Sequence, residues 1–70
     1  MTTLGERVRA ARDAKGLSQA ELAVLIAISQ VAISRIERGD MRPSVETLVK
    51  ISRALGISVD SMIAVDQLAA

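Results

Sequence analysis

Apolar residues recur along most of this chain at the three- and four-residue spacing of amphipathic helices. The first such stripe contains Leu4, Val8 and Ala11 and predicts a helix over about residues 4–15, which Gly16 ends. β-Branched residues are plentiful, but no stretch alternates with a period of two for long enough to predict a strand. The pattern therefore favours an all-α chain.

The next segment predicts two short helices joined by a tight turn. Ser18 and Glu21 form a capping box at the start of the first helix, and three residues from Ala27 interrupt the helical periodicity. Ser29 caps the second helix, which Gly39 ends. Two helices joined this closely form a helix-turn-helix, whose second helix lies in the major groove when the motif binds DNA. The turn has Ala27 where such motifs usually have glycine.

Two further helices follow a short loop. Ser44 caps a helix of about residues 45–55, which carries a stripe of leucine and isoleucine. Ser58 starts a short fifth helix, in which Met62 and Ile63 are predicted to point inward. The chain is thus predicted to form a compact five-helix bundle.

We expect one domain over residues 1–70, with its core over about 3–63 and with 64–70 as a helix extension or a frayed tail. A chain of 70 residues is close to the lower limit for a self-supporting core. The longest apolar run, residues 22–28, is too short for a membrane span, and no signal peptide is apparent. We therefore expect a cytoplasmic domain that does not contact a membrane.

The composition excludes most kinds of catalytic and metal site. The chain has no cysteine and no histidine, so disulfides, thiol catalysis and the usual zinc sites are excluded. Its eight acidic residues form no paired motif on one short element. We expect neither an enzyme nor a bound metal or cofactor.

Charge and aromatic content narrow the choice among nucleic acids. The net charge is only +1, whereas many DNA-binding domains are visibly basic, so the placement of the charges matters more than their sum. Aromatic residues are absent, which argues against modules that stack the bases of RNA or single-stranded DNA. A protein that binds double-stranded DNA needs no aromatic residues for base stacking.

A helical wheel divides the second helix of the motif into two faces. Val31, Arg35 and Arg38 share one face, and the opposite face carries isoleucines and Glu37. Two arginines on a helix surface are ordinarily solvated charges, but their place in a helix-turn-helix favours DNA contact. Arg35 can bind guanine with a bidentate fork or bind a phosphate, and Gln30 can pair with adenine or a phosphate.

Several motifs occur together in an order that is specific in combination. They are Gly16-Leu17-Ser18-Gln19-Ala20-Glu21-Leu22-Ala23, Ser29-Gln30, Ile33-Ser34-Arg35-Ile36-Glu37-Arg38-Gly39, Arg42-Pro43-Ser44, Glu46-Thr47-Leu48 and Ala54-Leu55-Gly56-Ile57-Ser58. On these residues the chain resembles the phage-repressor and Cro-like helix-turn-helix family, also called XRE-type. The resemblance covers about residues 3–63. It implies a five-helix fold and a transcriptional regulator that binds double-stranded DNA, usually as a homodimer.

The resemblance also indicates which positions touch DNA. In the family these are the positions of Gln19, Gln30, Val31 and Arg35. Hydroxyls and N–H groups at helix starts suit phosphates, as do arginines near the recognition helix of about residues 30–38. The predicted DNA-binding set is Ser18, Gln19, Ser29, Gln30, Val31, Ser34, Arg35, Arg38 and Arg42. Asp40 departs from the family, which often has a basic residue there.

Glu37 is interpreted as structural in spite of its charge. The wheel places it beside Ile36, and an acid on the DNA face would repel phosphates. Arg12 continues the buried stripe of the first helix, four residues after Val8. The resemblance implies that Arg12 and Glu37 form a partly buried ion pair that links the first helix to the recognition helix.

Three apolar residues at surface positions leave a second interpretation open. Val24 and Leu25 occupy sites that are usually polar, and with Val31 they form a candidate patch for a protein partner. The alternative function is therefore a protein-interaction module, or an engineered scaffold, that keeps the fold with weak or no DNA binding. The low net charge favours the same alternative.

Overall fold

A computed structural model of the chain describes residues 3–63, in which all regular structure is helical. Its elements are α1 (Leu4–Ala14), α2 (Gln19–Ile26), α3 (Gln30–Arg38), α4 (Val45–Leu55) and α5, described over 59–63. The predicted five-helix fold is thus confirmed. The prediction of a helix extension or frayed tail over 64–70 lies outside the described residues.

Two helices begin with complete capping boxes. The backbone N–H of Thr3 donates to Glu6 Oε1 at 3.1 Å, and that of Ser18 donates to Glu21 Oε1 at 2.8 Å. The N-cap hydroxyl oxygens accept in return from the backbone N–H groups of the same glutamates. The hydrogen bond from the N-cap backbone, and after it the one from the N-cap side chain, lowers the pKa of each glutamate carboxyl below its ordinary value. The glutamate half of each capping box therefore persists at neutral pH and is lost only as the pH falls through the lowered pKa of that carboxyl.

The core is built from aliphatic side chains and one methionine. Those buried in it are Leu4, Val8, Leu22, Ala23, Ile26, Ile33, Ile36, Leu48, Ile51, Leu55 and Met62. α3 packs against α1 and α2, while α4 closes the far side against α2. The burial of α3 on its isoleucine side leaves its other face outward, which is the arrangement that the wheel predicts.

The orientation of α5 corrects one prediction. Met62 is fully buried as expected, but Ile63 is 36% exposed and does not point into the core. Successive residues on a helix are rotated by about 100°, so a helix that contributes a narrow stripe to the core cannot bury both neighbours equally.

Gly5 allows a close approach of two helices. A Cβ built on Gly5 would lie 2.5 Å from the carbonyl oxygen of Glu37 and closer still to that of Ile36. The first turn of α1 therefore rests directly on the backbone of the last turn of α3. A side chain at this position has no room unless the helices separate.

No helix within residues 3–63 is by itself long and apolar enough to cross a membrane; α2 and α3 reach that length and hydropathy only when taken together, across a bend of 114°.

Candidate nucleic-acid interface

The turn between α2 and α3 is closed by local hydrogen bonds. Ala27 adopts a left-handed conformation (φ 57°, ψ 43°), and its N–H donates to the carbonyl of Val24 at 3.3 Å. The N–H of Ile28 reaches back to the carbonyl of Ala23 at 3.0 Å, which gives a Schellman-type helix end. Ser29 then caps α3 by accepting from the N–H of Ala32 at 3.1 Å. The resulting bend of 114° lies within the range of helix-turn-helix motifs.

α3 separates buried and exposed residues by face. Ile33 and Ile36 are fully or almost fully buried, and Glu37 is buried beside them. On the opposite side Val31 is 61% exposed, and Arg35 is exposed one turn further along. The outward face of α3 is therefore accessible to a ligand.

The residues predicted to bind DNA differ in the hydrogen bonds and ion pairs that they make within the chain. The Oγ atoms of Ser18 and Ser29 act as helix caps, and Ser34 is half-buried. Arg38 Nε pairs with Asp40 Oδ2 at 3.1 Å on the surface. The structure thus places an acid beside one of the two arginines of α3, and this weakens the positive potential at that end. Gln30 and Arg42 are exposed.

The ion pair between Arg12 and Glu37 is present and bidentate. Arg12 Nε donates to Glu37 Oε2 at 2.7 Å, and Arg12 Nη2 donates to Oε1 at 3.1 Å. The two side chains are only 10% and 3% exposed. The hydrogen bond to Glu37 raises the pKa of the Arg12 guanidinium, so the arginine stays charged although it is buried. Arg12 Nη1 also donates to the carbonyl of Leu17 at 2.6 Å, which fixes the loop before α2.

Gln19 joins this pair in a way that the sequence did not reveal. Its Nε2 donates to Glu37 Oε1 at 3.1 Å, so one carboxylate holds residues from α1 and from the start of α2. Gln19 is half-buried, and this bond restrains a side chain that the resemblance assigns to DNA. The capping signal at Ser18 predicts the start of α2, but nothing in the spacing links Gln19 to Glu37.

The three apolar residues predicted to form a patch are all exposed. Val24 and Leu25 are 83% and 60% exposed and line one shallow groove. Val31 lines neither that groove nor the neighbouring one beside α4. All three residues are thus exposed, with Val24 and Leu25 on α2 and Val31 on α3.

This combination defines a helix-turn-helix protein of the all-α class. The sequence profile of the helix-turn-helix family matches residues 8–62, and the chain belongs to that family. The repressor protein C2 of Salmonella phage P22 is 40% identical over 60 residues, which cover 86% of this chain and 28% of that protein. This chain spans between 28% and 55% of the length of four curated relatives that it matches.

Solved structures show the same fold. The P22 c2 repressor in complex with a synthetic operator superimposes with a TM-score of 0.85 at 39% identity, over 89% of this chain and 94% of that one. The biofilm regulator SinR in complex with DNA superimposes with a TM-score of 0.82 at 34% identity, over 87% of this chain and 98% of that one.

Proposed function

We propose that this chain binds double-stranded DNA in a sequence-specific manner as the DNA-binding part of a transcriptional regulator. The observation that carries the proposal is the division of α3: its isoleucines are buried, while Val31, Arg35 and Arg38 face outward. A helix presented in this way fits the major groove, where side chains can read base edges.

The placement of charge supports the proposal better than the net charge does. Arg35 and Arg38 lie on the outer face of α3, and Arg42 follows in the loop before α4. Glu37, the acid within α3, is buried against Arg12. A phosphate approaching α3 therefore meets arginines, although the whole chain carries only +1.

Relatives with known ligands support the same assignment. The matched structures include a phage repressor with its operator and SinR with DNA. By analogy, we infer that two copies act together on DNA. A two-fold pair of such domains binds half-sites about one helical turn apart, at about 34–36 Å, so the operator is expected to be approximately palindromic.

The second candidate function is a protein-interaction module that has lost DNA binding. The exposed pair Val24 and Leu25 and the pairing of Arg38 with Asp40 favour it. Selection from random duplex DNA at several salt concentrations separates the two candidates. A parent protein without salt-dependent duplex binding would make the interaction module the better assignment.

Arg35→Ala is expected to weaken binding to the selected operator by about 1–3 kcal/mol and to relax specificity at one base position. The reason is the loss of a bidentate contact to a base edge.

Arg42→Ala is expected to weaken binding to all DNA sequences alike and to reduce the slope of affinity against salt concentration by about 1. Titrations of labelled duplexes measure both effects. Arg9→Ala, which removes an exposed arginine from α1, is the matched control. Parent-like binding by both variants would contradict the assignment of α3.

Val31 is expected to contact the 5-methyl group of a thymine, because its side chain has no hydrogen-bonding group and lies on the outer face of α3. Replacing that thymine by uracil is then expected to weaken binding by about 0.8 kcal/mol, the value of one buried carbon. The penalty is expected to shrink in Val31→Ala. Equal binding of uracil and thymine operators by the parent, together with altered self-association of Val31→Ser, would instead place Val31 in a protein contact.

A further inference from the structure

An apolar strip runs along α2 and onto α4, and no residue of α3 lines it. We define the α2 strip as Ala20, Val24, Leu25 and Ala54. Leu25 lines two shallow grooves of about 410 and 400 Å³, one along α2 and one between α2 and α4. Since Leu25 is 60% exposed, it forms a ridge between these grooves. The surface thus contains both a projecting side chain and places that can receive one.

The two grooves carry opposite charges. Glu21 borders the groove along α2, and its carboxylate is held ionised by the capping box with Ser18. Lys50 and Arg53 border the groove beside α4. Lys50 Nζ forms an ion pair with Glu46 Oε1 at the long distance of 3.9 Å. Leu25 therefore lies between a negative side and a positive side.

We propose that the α2 strip binds a second copy of this chain across a two-fold axis near Leu25. In a two-fold interface every contact occurs twice, with the partners exchanged. The ridge formed by Leu25 of each copy then enters a groove of the other. Glu21 of each copy faces Lys50 and Arg53 of the other. A partner with one sign of charge would satisfy only one groove, whereas a second copy satisfies both.

This association is weak and reversible. Stable protein complexes bury about 800 Å² on each partner, a large share of the 4300 Å² that this chain exposes. Four apolar residues and three charged neighbours offer less than that. When two copies occupy neighbouring sites on one duplex, the raised effective concentration favours the contact without any new interaction. The proposed contact between two α2 strips does not involve DNA, so it can be tested on the protein alone.

Sedimentation of the whole chain, from micromolar to millimolar concentration without DNA, tests the proposal. The weight-average mass of the parent is expected to rise toward that of a dimer. Leu25→Asp is expected to reduce the association constant tenfold or more, because it places a charge at the centre of an apolar contact. Val45→Asp is the matched control, since Val45 is 72% exposed and lies outside both grooves. It is expected to associate like the parent.

Charge reversal tests the two-fold geometry separately. Glu21→Lys and Arg53→Glu are each expected to weaken self-association, because each change brings two like charges together at both copies of the contact between residues 21 and 53. An equimolar mixture of the two variants is expected to associate again, since each altered charge faces its opposite in the mixed dimer. Circular dichroism verifies that both variants are folded; the hydroxyl of Ser18 still caps the N–H of residue 21 in either one.

Three results would overturn the proposal. They are a parent mass that does not change with concentration, equal effects of Leu25→Asp and Val45→Asp, and a mixture that remains monomeric. If the α2 strip binds another protein, or residues 64–70, the parent mass will not change with concentration. Loss of duplex binding by the parent bears on the proposed function and not on this interface, so the two failures are distinguishable.

Discussion

Glu37→Ala is expected to destabilise the domain by about 3–5 kcal/mol, because it removes the buried, bidentate counter-ion of Arg12 and leaves that guanidinium only the exposed carboxylate of Asp13, at 3.2 Å. The same change removes the acceptor of the Gln19 amide. Domains have about 0.05–0.15 kcal/mol of stability per residue, so this loss is a large part of what a 70-residue chain possesses. Urea denaturation followed by far-ultraviolet circular dichroism measures the change in the free energy of unfolding.

A double variant distinguishes the electrostatic contribution of the ion pair from the contribution of the volume that its side chains fill. Arg12→Met combined with Glu37→Leu is expected to recover much of the loss, because well-packed apolar residues replace a buried pair at little cost. Glu46→Ala is the matched control, since Glu46 lies on α4 with an 82% exposed side chain and its ion pair with Lys50 is long, at 3.9 Å. Single variants Arg12→Met and Glu37→Leu that each cost well below 1 kcal/mol, with effects that add in the double variant, would show that the pair contributes nothing as a unit.

Gly5→Ala is expected to destabilise the domain by about 1–3 kcal/mol or more, the range observed for overpacked cores. The new Cβ meets the backbone oxygens of Ile36 and Glu37, and a helix backbone cannot move aside as a flexible side chain can. Helix propensity alone predicts the opposite sign, since alanine is favoured over glycine by about 1 kcal/mol within a helix. The sign of the measured change therefore decides between close packing and propensity.

The same denaturation experiment includes Arg9→Ala as the control for Gly5→Ala. Arg9 lies on α1 with a 68% exposed side chain, and its ion pair with Asp13 is long, at 4.0 Å. Its replacement is expected to change stability by less than about 0.5 kcal/mol. A Gly5→Ala variant as stable as the parent would mean that α1 can move away from α3 without loss.

Helix boundaries were predictable because their signals are local. A serine or threonine at each start and glycine at most ends fix the limits of a helix within one or two residues, whatever the tertiary fold. The prediction for α4, about residues 45–55, agrees with Val45–Leu55. α1 was predicted to end near Lys15, which the structure has as the C-cap after Ala14. The buried face of α3 followed from the spacing of its isoleucines.

The remaining features depend on contacts between distant parts of the chain. In the sequence Gly5 is only a poor helix former, and its role becomes visible when α3 lies across it. The bond from Gln19 to Glu37 also needs the packing of three helices. The outward position of Ile63 depends on how α5 docks, which its short apolar pattern does not specify. Contacts with DNA stay predictions, since they belong to a complex.

The aliphatic core determines how the protein can be observed. With no tryptophan, tyrosine or phenylalanine, the chain has no intrinsic fluorescence with which to follow folding or binding. Methyl groups can serve as probes instead, because they occur in the core, on the outer face of α3 and on the α2 strip. In one methyl-labelled sample Ile33 and Ile51 report on the core, Val31 reports on the outer face of α3, and Val24 and Leu25 report on the α2 strip. Folding, DNA binding and self-association thus have separate spectroscopic probes in the unmodified sequence.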